Sequence, residues 1–258
     1  DFDFSFSSIK DRLGVLPIAV QLPIGASDSF EGIIDLLTMK AYYFDENELG
    51  AIVHERDIPE GMKETAELYH HELVEHAAEI DDTLMERFLE DEESITADEI
   101  RAALRRGTIE HKCHPVFCGS ALKNIGVQRL LNGVIDYLPT PAEVPDVQGT
   151  DPRNDEIELS RPHNNDAPFS ALVFKVVSDT HGDLTYIRIY SGHLDRGSRV
   201  LNPVNGKKEN VSRIFEMHAK DRTALDTAYA GQIVAVIGLK HSTTCLLYTS
   251  DAADDLIG

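Results

Sequence analysis

Two changes of pattern predict an α/β region followed by a small antiparallel β-barrel. Apolar residues step by three or four between Met62 and Ile135, then alternate by two beyond Phe169. Between these regimes, residues 139–165 are rich in Pro, Asp, Asn and Thr, the composition of a linker. A chain of 258 residues has room for two such units, each with its own core.

The first region opens with a helix end at Ile9–Gly14, where Gly14 suits a carboxy-terminal cap. Val15–Ile24 is an apolar run interrupted by Pro17 and Pro23. It reads as an edge strand or an irregular extended segment. Short strands are expected within Phe30–Phe44 and again within Gly50–Ile58. Met62, Ala66, Tyr69, Leu73, Ala77, Ile80 and Leu84 then form one helical face, which Met85, Phe88 and Leu89 continue or restart. Thr96 and Glu99 make a capping box, and Gly107 is expected to end the helix it opens. Pro115–Cys118 reads as a buried strand. Val127, Leu130, Leu131, Val134 and Ile135 give the face of a last helix, stopped by Pro139.

In the second region, Phe169, Ala171, Val173 and Lys175 alternate with their neighbours, as do Tyr186, Arg188 and Tyr190. Gly192, Gly197, Pro203 and Gly206 punctuate at turn spacing. Short strands broken in this way predict the barrel.

Charge separates the regions. Of the net −21, most sits between Asp45 and Ile100, with 20 Asp/Glu against 3 Lys/Arg. Residues 166–244 carry 8 acids against 10 bases. The first region therefore repels nucleic acid and the second tolerates it. No apolar run approaches the roughly 20 residues that span a bilayer. No basic start leads into a long apolar stretch. The sparse, odd set Cys113, Cys118 and Cys245 fits a reducing compartment, so the expected location is the cytoplasm.

One segment carries chemistry. Gly119-Ser120-Ala121-Leu122-Lys123-Asn124 follows an expected strand and precedes an expected helix, the place where α/β folds bind ligands. Its small residues allow close backbone approach, and its N–H groups could meet a carbonyl oxygen. An ordinary tight turn would have the same sequence.

The order and spacing of longer blocks resemble the translation elongation factor G family over about Ile9–Thr244. Gln21-Leu22-Pro23-Ile24-Gly25 and Phe30-x-Gly32-Ile33-Ile34-Asp35-Leu36 resemble the insert in that family's GTPase domain. Cys118-Gly119-Ser120-Ala121-x-Lys123-Asn124-x-Gly126-Val127-Gln128 is similar to its fifth GTPase motif and following helix. Asp136-Tyr137-Leu138-Pro139-x-Pro141-x-x-Val144-Pro145 resembles the exit to its second domain. Leu184–Leu194 and Asn210–His218 resemble the second-domain barrel, although the loop Asp179-Thr180-His181-Gly182 is shorter than usual there.

The resemblance implies a partial P-loop GTPase domain at 1–138 with an α+β insert at about 15–112. A linker would cover 139–165 and a truncated barrel 166–244. The backbone at Ser120 and Ala121 would meet the guanine carbonyl of GTP, with Lys123 beside the base and Leu122 lining the same pocket. The parent protein would use GTP and Mg²⁺ to drive ribosomal translocation of tRNA and mRNA. Its barrel would touch ribosomal RNA, and its acidic insert the ribosomal stalk proteins. A related ribosomal GTPase of release-factor or protection type remains open, and so does a non-enzymatic ribosome-binding module.

The 258 residues contain no G-x-x-x-x-G-K-[ST] and no Asn-Lys-x-Asp, and no Asp-x-x-Gly placed downstream of a phosphate loop to position a metal-bound switch. Without groups that hold phosphates and Mg²⁺, the chain is expected neither to bind GTP tightly nor to hydrolyse it. No catalytic residue and no metal site is expected. His111, Cys113, His114 and Cys118 lack the paired spacing of a zinc site. His70, His71 and His76 sit among Glu67, Glu72, Glu75 and Glu79 and read as a solvated helix face. Lys207, Lys208, Arg213, Lys220 and Arg222 form a basic stretch compatible with phosphate contact.

Cys245–Asp255 resembles the translation of a sequencing adaptor, so residues 245–258 are expected to be a non-native tail. An incomplete parallel sheet and a barrel left open past Thr244 would expose unpaired strand edges and core surface.

Overall fold

The computed structural model describes residues 1–45, 50–151, 154–179, 182–219 and 221–250. The chain divides into two units, Asp1–Leu138 and Pro139–Gly258.

Unit 1 begins with α1 (Phe2–Leu13). Asp1 caps its start and Gly14 ends it in the left-handed region at φ 65°, returning its N–H to Lys10 O. The Val15–Ile24 run forms two short strands, β1 (Pro17–Ala19) and β2 (Gln21–Ile24). β2 is an edge of a four-stranded antiparallel sheet with β3 (Gly32–Asp35), β4 (Lys40–Phe44) and β5 (Val53–Arg56), in that order. Edge placement explains how Pro23 is tolerated there.

The expected long helical face is split between α2 (Lys63–Ile80) and α3 (Asp82–Glu90). Asp81 breaks it by turning extended and accepting from the Thr83 and Leu84 N–H groups. This cap holds the Asp81 carboxyl below the usual carboxylate range, chiefly through its hydrogen bond from the Thr83 hydroxyl. α4 (Ala97–Ile109) starts on the Thr96–Glu99 capping box. That box, with Arg87 alongside, lowers the Glu99 carboxyl to about 2.

Gly107 does not end α4; Glu110 caps it. A Cβ at Gly107 would lie 2.6 Å from Ile80 Cδ1 and 2.7 Å from Cys113 Sγ, so the glycine lets α4 pack closely against the end of α2 and the turn before the next strand. β6 (His114–Val116) pairs in parallel with β1 and is only half-buried rather than fully buried. α5 (Val127–Tyr137) docks through Gly133 on the Phe117 ring. Arg105 Nη1 donates to the carbonyls of Ile135, Asp136 and Leu138 at 3.1, 2.9 and 3.2 Å, satisfying the end of this helix. The core joins Ile18, Val20, Leu22, Ile34 and Leu36 to Leu73, Ala77, Ile100 and Leu104. The α5 face read from the sequence is exposed at Leu130, Leu131, Val134 and Ile135.

Unit 2 departs from a plain linker at once. β7 (Val147–Asp151) and β8 (Asn154–Arg161) form an antiparallel hairpin inside residues 139–165. Its Gln148–Ser160 and Asp146–Ser160 side-chain bonds support the pairing. The remaining strands are β9 (Ser170–Asp179), β10 (Gly182–Ser191), β11 (His193–Asp195), β12 (Arg199–Asn202), β13 (Lys207–Asn210), β14 (Arg213–His218), β15 (Asp221–Leu225), β16 (Thr227–Tyr229), β17 (Ile233–Ile237) and β18 (Leu247–Ser250). β11 pairs with β16. The other eight form one sheet in the order β13-β12-β18-β9-β10-β17-β14-β15.

Alternation holds from Phe169 into β9, where Phe169, Ala171 and Val173 are buried, but it shifts beyond Val173. The ladder pairs Ile187 with Val173 and Tyr186 with Lys175, leaving Phe174 as a bulge. Lys175 is therefore exposed and Val176 turns to the core. Residues 180–181 of the short loop lie outside the described residues.

The segment past Thr244 joins the sheet, whose strand order still ends at β13 and β15. β18 bridges β12 and β9 and buries Leu246 and Tyr248 in the core. The expected non-native segment thus supplies inward apolar residues at positions 246 and 248, the period an open sheet edge accepts. Residues 251–258 of that tail are outside the described residues.

Candidate functional site: the turn between β6 and α5

The turn is closed by a reciprocal pair: the Ser120 and Ile125 N–H groups each donate to the other's carbonyl at 2.9 Å. Ser120 Oγ accepts from Lys123 N–H at 3.3 Å, and Asn124 N–H reaches Ala121 O at 3.3 Å. Asn124 and Gly126 take φ 54° and 79°. Gly126 also lets the two limbs approach, since a Cβ there would sit 2.9 Å from Cys118 O.

These bonds sort the four expected nucleotide contacts. Ser120 N–H is engaged inside the turn. Among the described residues the Ala121 and Leu122 N–H groups have no hydrogen-bond partner, and both residues are exposed. The Leu122 side chain is 94% exposed, so it stands on the rim of the turn. Lys123 Nζ donates to Asp28 O at 2.9 Å. An open cavity of about 560 Å³ lies alongside. It is lined by Phe2, Phe6, Phe30, Cys118, Gly119 and Ser120 among others, so of the four residues it takes in only Ser120. Burial pushes the neighbouring Cys118 thiol up to about 12, which makes it a poor nucleophile.

Sequence reasoning missed the residues that hold this turn from outside. Gln128 Nε2 donates to Gly50 O at 2.7 Å. The Arg129 guanidinium lies 3.7 Å from the Tyr42 ring centroid and 3.6 Å from Asp35 Oδ2. Two polar residues opening an apolar helix were the available signal.

The other candidates disperse. Cys113 is buried, with Sγ 3.7 Å from Leu104 O. No cluster of three or more His, Cys, Asp or Glu fit for a metal occurs among the described residues. His70 contacts Leu36 O at 2.7 Å, His71 contacts Glu92 at 2.7 Å and His76 contacts Glu79 at 2.9 Å, each in its own pairing. Lys207 and Lys208 lie on β13 and Arg213 and Arg222 on β14 and β15, at opposite ends of the sheet order; Lys220 is outside the described residues. No helix among the described residues is long and apolar enough to cross a membrane.

Comparison with known proteins bears on the barrel most directly. Residues 168–245 match the family "Elongation factor G domain 2". A crystal structure of a protein from Thermus thermophilus superposes with a TM-score of 0.71 at 23% identity, covering 97% of this chain and 34% of that one. At that identity the likeness shows the fold, and this chain spans about a third of the other protein's length. The family match ends at residue 245, before β18. Within the second unit, residues 168–245 are thus similar to elongation factor G domain 2.

Proposed function

We propose that the chain is part of a ribosomal translation GTPase of the elongation factor G type, carrying the guanine end of the nucleotide site and the barrel that follows it. The observation that carries this reading is the Ser120–Ile125 turn. It presents the free N–H groups of Ala121 and Leu122 just after a parallel strand, in a chain whose next unit is similar to elongation factor G domain 2. In this reading the Ala121 N–H meets the guanine carbonyl and Lys123 flanks the base. The exposed apolar face of α5, Leu130 to Ile135, supports it further, as a surface suited to packing within a larger α/β domain.

GTP and Mg²⁺ would act in the parent protein, where hydrolysis drives movement of tRNA and mRNA on the ribosome. Nothing in these 258 residues has the sequence of a phosphate loop, so the base-facing turn supplies only part of the binding energy. Ribosomal RNA would meet the barrel, and stalk proteins the acidic helices α2–α4.

Nucleotide titration followed at backbone amides tests the reading. At about 1 mM GDP the Ala121 and Leu122 amides shift, while ADP at the same concentration leaves them in place. A fluorescent GTP analogue with Mg²⁺ shows no saturable binding in the micromolar range. Tight guanine-specific binding, or equal shifts with ADP, would overturn it.

A further inference from the structure

We propose that the four-stranded sheet β2–β5 is a positioning clamp for the Ser120–Ile125 turn and sets the direction in which the Ala121 and Leu122 N–H groups point. The functional consequence rests on the nucleotide reading above; the clamp itself does not.

The turn has little to hold it on its own. Besides one reciprocal backbone pair it has two longer contacts of 3.3 Å, Lys123 N–H to Ser120 Oγ and Asn124 N–H to Ala121 O, and Asn124 sits in the left-handed region. Contacts from the sheet region, far away in sequence, make up the difference. Ile125 is 1% exposed and packs with Ile33, Tyr42 and Phe44 of β3 and β4. Lys123 Nζ is bound by the Asp28 carbonyl in the 3-10 turn Ser27–Ser29, between β2 and β3.

On the other side Gly50, at φ 74°, abuts Asn124 so closely that a Cβ there would lie 2.4 Å from Asn124 O. Its carbonyl accepts from Gln128. Arg129 completes the grip. It lies over Tyr42 and faces Asp35, whose Oδ1 accepts from the Leu37 and Thr38 N–H groups and is thereby fixed. Turn and helix start are thus held through residues 123, 124, 125, 128 and 129 by one sheet and its loops. Three of these contacts are polar and directional, which fixes orientation as well as depth.

The test is residue-resolved amide exchange on the whole chain for Gln128→Ala and for the double variant Lys123→Met/Gln128→Ala. Expected is a rise of about tenfold in exchange at the Ser120 and Ile125 amides, the worth of roughly one net hydrogen bond. The Val20 and Leu36 amides, which donate to Val116 O and Val20 O in the same core, keep their wild-type rates. Unchanged exchange at Ser120 and Ile125 overturns the proposal. So does a rise shared equally by Val20 and Leu36, because that is general loosening.

Addition of about 1 mM GDP separates the two ideas. If exchange behaves as expected but GDP leaves the wild-type Ala121 and Leu122 amides unmoved, the clamp stands and the nucleotide reading falls.

Discussion

Replacing Glu209 by Ala should destabilise the barrel by about 3–5 kcal/mol. Glu209 lies on β13, 7% exposed, and its carboxylate accepts four hydrogen bonds. Tyr248 Oη donates at 2.7 Å, Lys240 N–H at 2.6 Å, His241 N–H at 3.0 Å and Asn202 Nδ2 at 3.3 Å. Lys240 and His241 are exposed residues, so water can replace part of what their amides lose, and each costs about 1 kcal/mol. Tyr248 is 1% exposed and keeps only the longer contact to Ser242, so its bond to a charged acceptor is worth about 1.5–3 kcal/mol. Asn202 retains His241 O and adds little.

Burial pushes the Glu209 carboxyl up, but the bonds from Tyr248, His241, Asn202 and Lys240 outweigh it and leave it below the usual range. A lowered folded pKa means stability that is present above the unfolded carboxylate pKa, near about 4.3, and is lost as pH falls through the folded value. Urea unfolding of the whole chain, followed by amide exchange at Val234 and Val236, reads the effect. A loss under about 0.5 kcal/mol near pH 7, or a wild-type barrel whose stability rises on acidification through the carboxylate range, would refute the reasoning.

Other perturbations have equally definite outcomes. Gly133→Ala places a methyl 2.2 Å from Phe117 Cζ. Overpacking of about 1–3 kcal/mol outweighs a helix-propensity gain of about 1 kcal/mol, so unit 1 melts earlier in calorimetry. Ending the chain at Thr244 removes Leu246 and Tyr248 from the core and costs the barrel about 3–6 kcal/mol, seen as a lower urea midpoint for its amides. Lys207→Ala and Lys208→Ala, if β13 faces ribosomal RNA, each lower the logarithmic salt slope of ribosome co-sedimentation by about 1.

Local signals were legible in the sequence and tertiary ones less so. The Gly14 cap and the Thr96–Glu99 box depend on residues within one turn of the helix end, so their chemistry is written contiguously. Gly107 was misread because glycine marks a helix end and a close packing point alike; only the position of Ile80 and Cys113 distinguishes them. Asp81 breaks one apolar face into two helices without interrupting its spacing. The period of α5 was evident, but burial requires a partner that periodicity does not supply, and its face stands exposed.

Likewise the hairpin at β7 and β8 and the strand at β18 form in segments read as linker and foreign tail. Pairing needs only alternation and a receptive edge. The candidate turn stood out in the sequence through its small residues. Its supports at Asp28 and Gly50 are 95 and 78 residues from their partners, and with Tyr42 they lay beyond any local pattern.

The most direct measurement is the sequence of the source locus on the amino-terminal side of Asp1. The account predicts an open frame encoding G-x-x-x-x-G-K-[ST], Asp-x-x-Gly and Asn-Lys-x-Asp, in that order, leading into Asp1. A start codon adjoining Asp1, or an upstream frame without those motifs, would contradict it and leave the Ser120–Ile125 turn as a structural connection only.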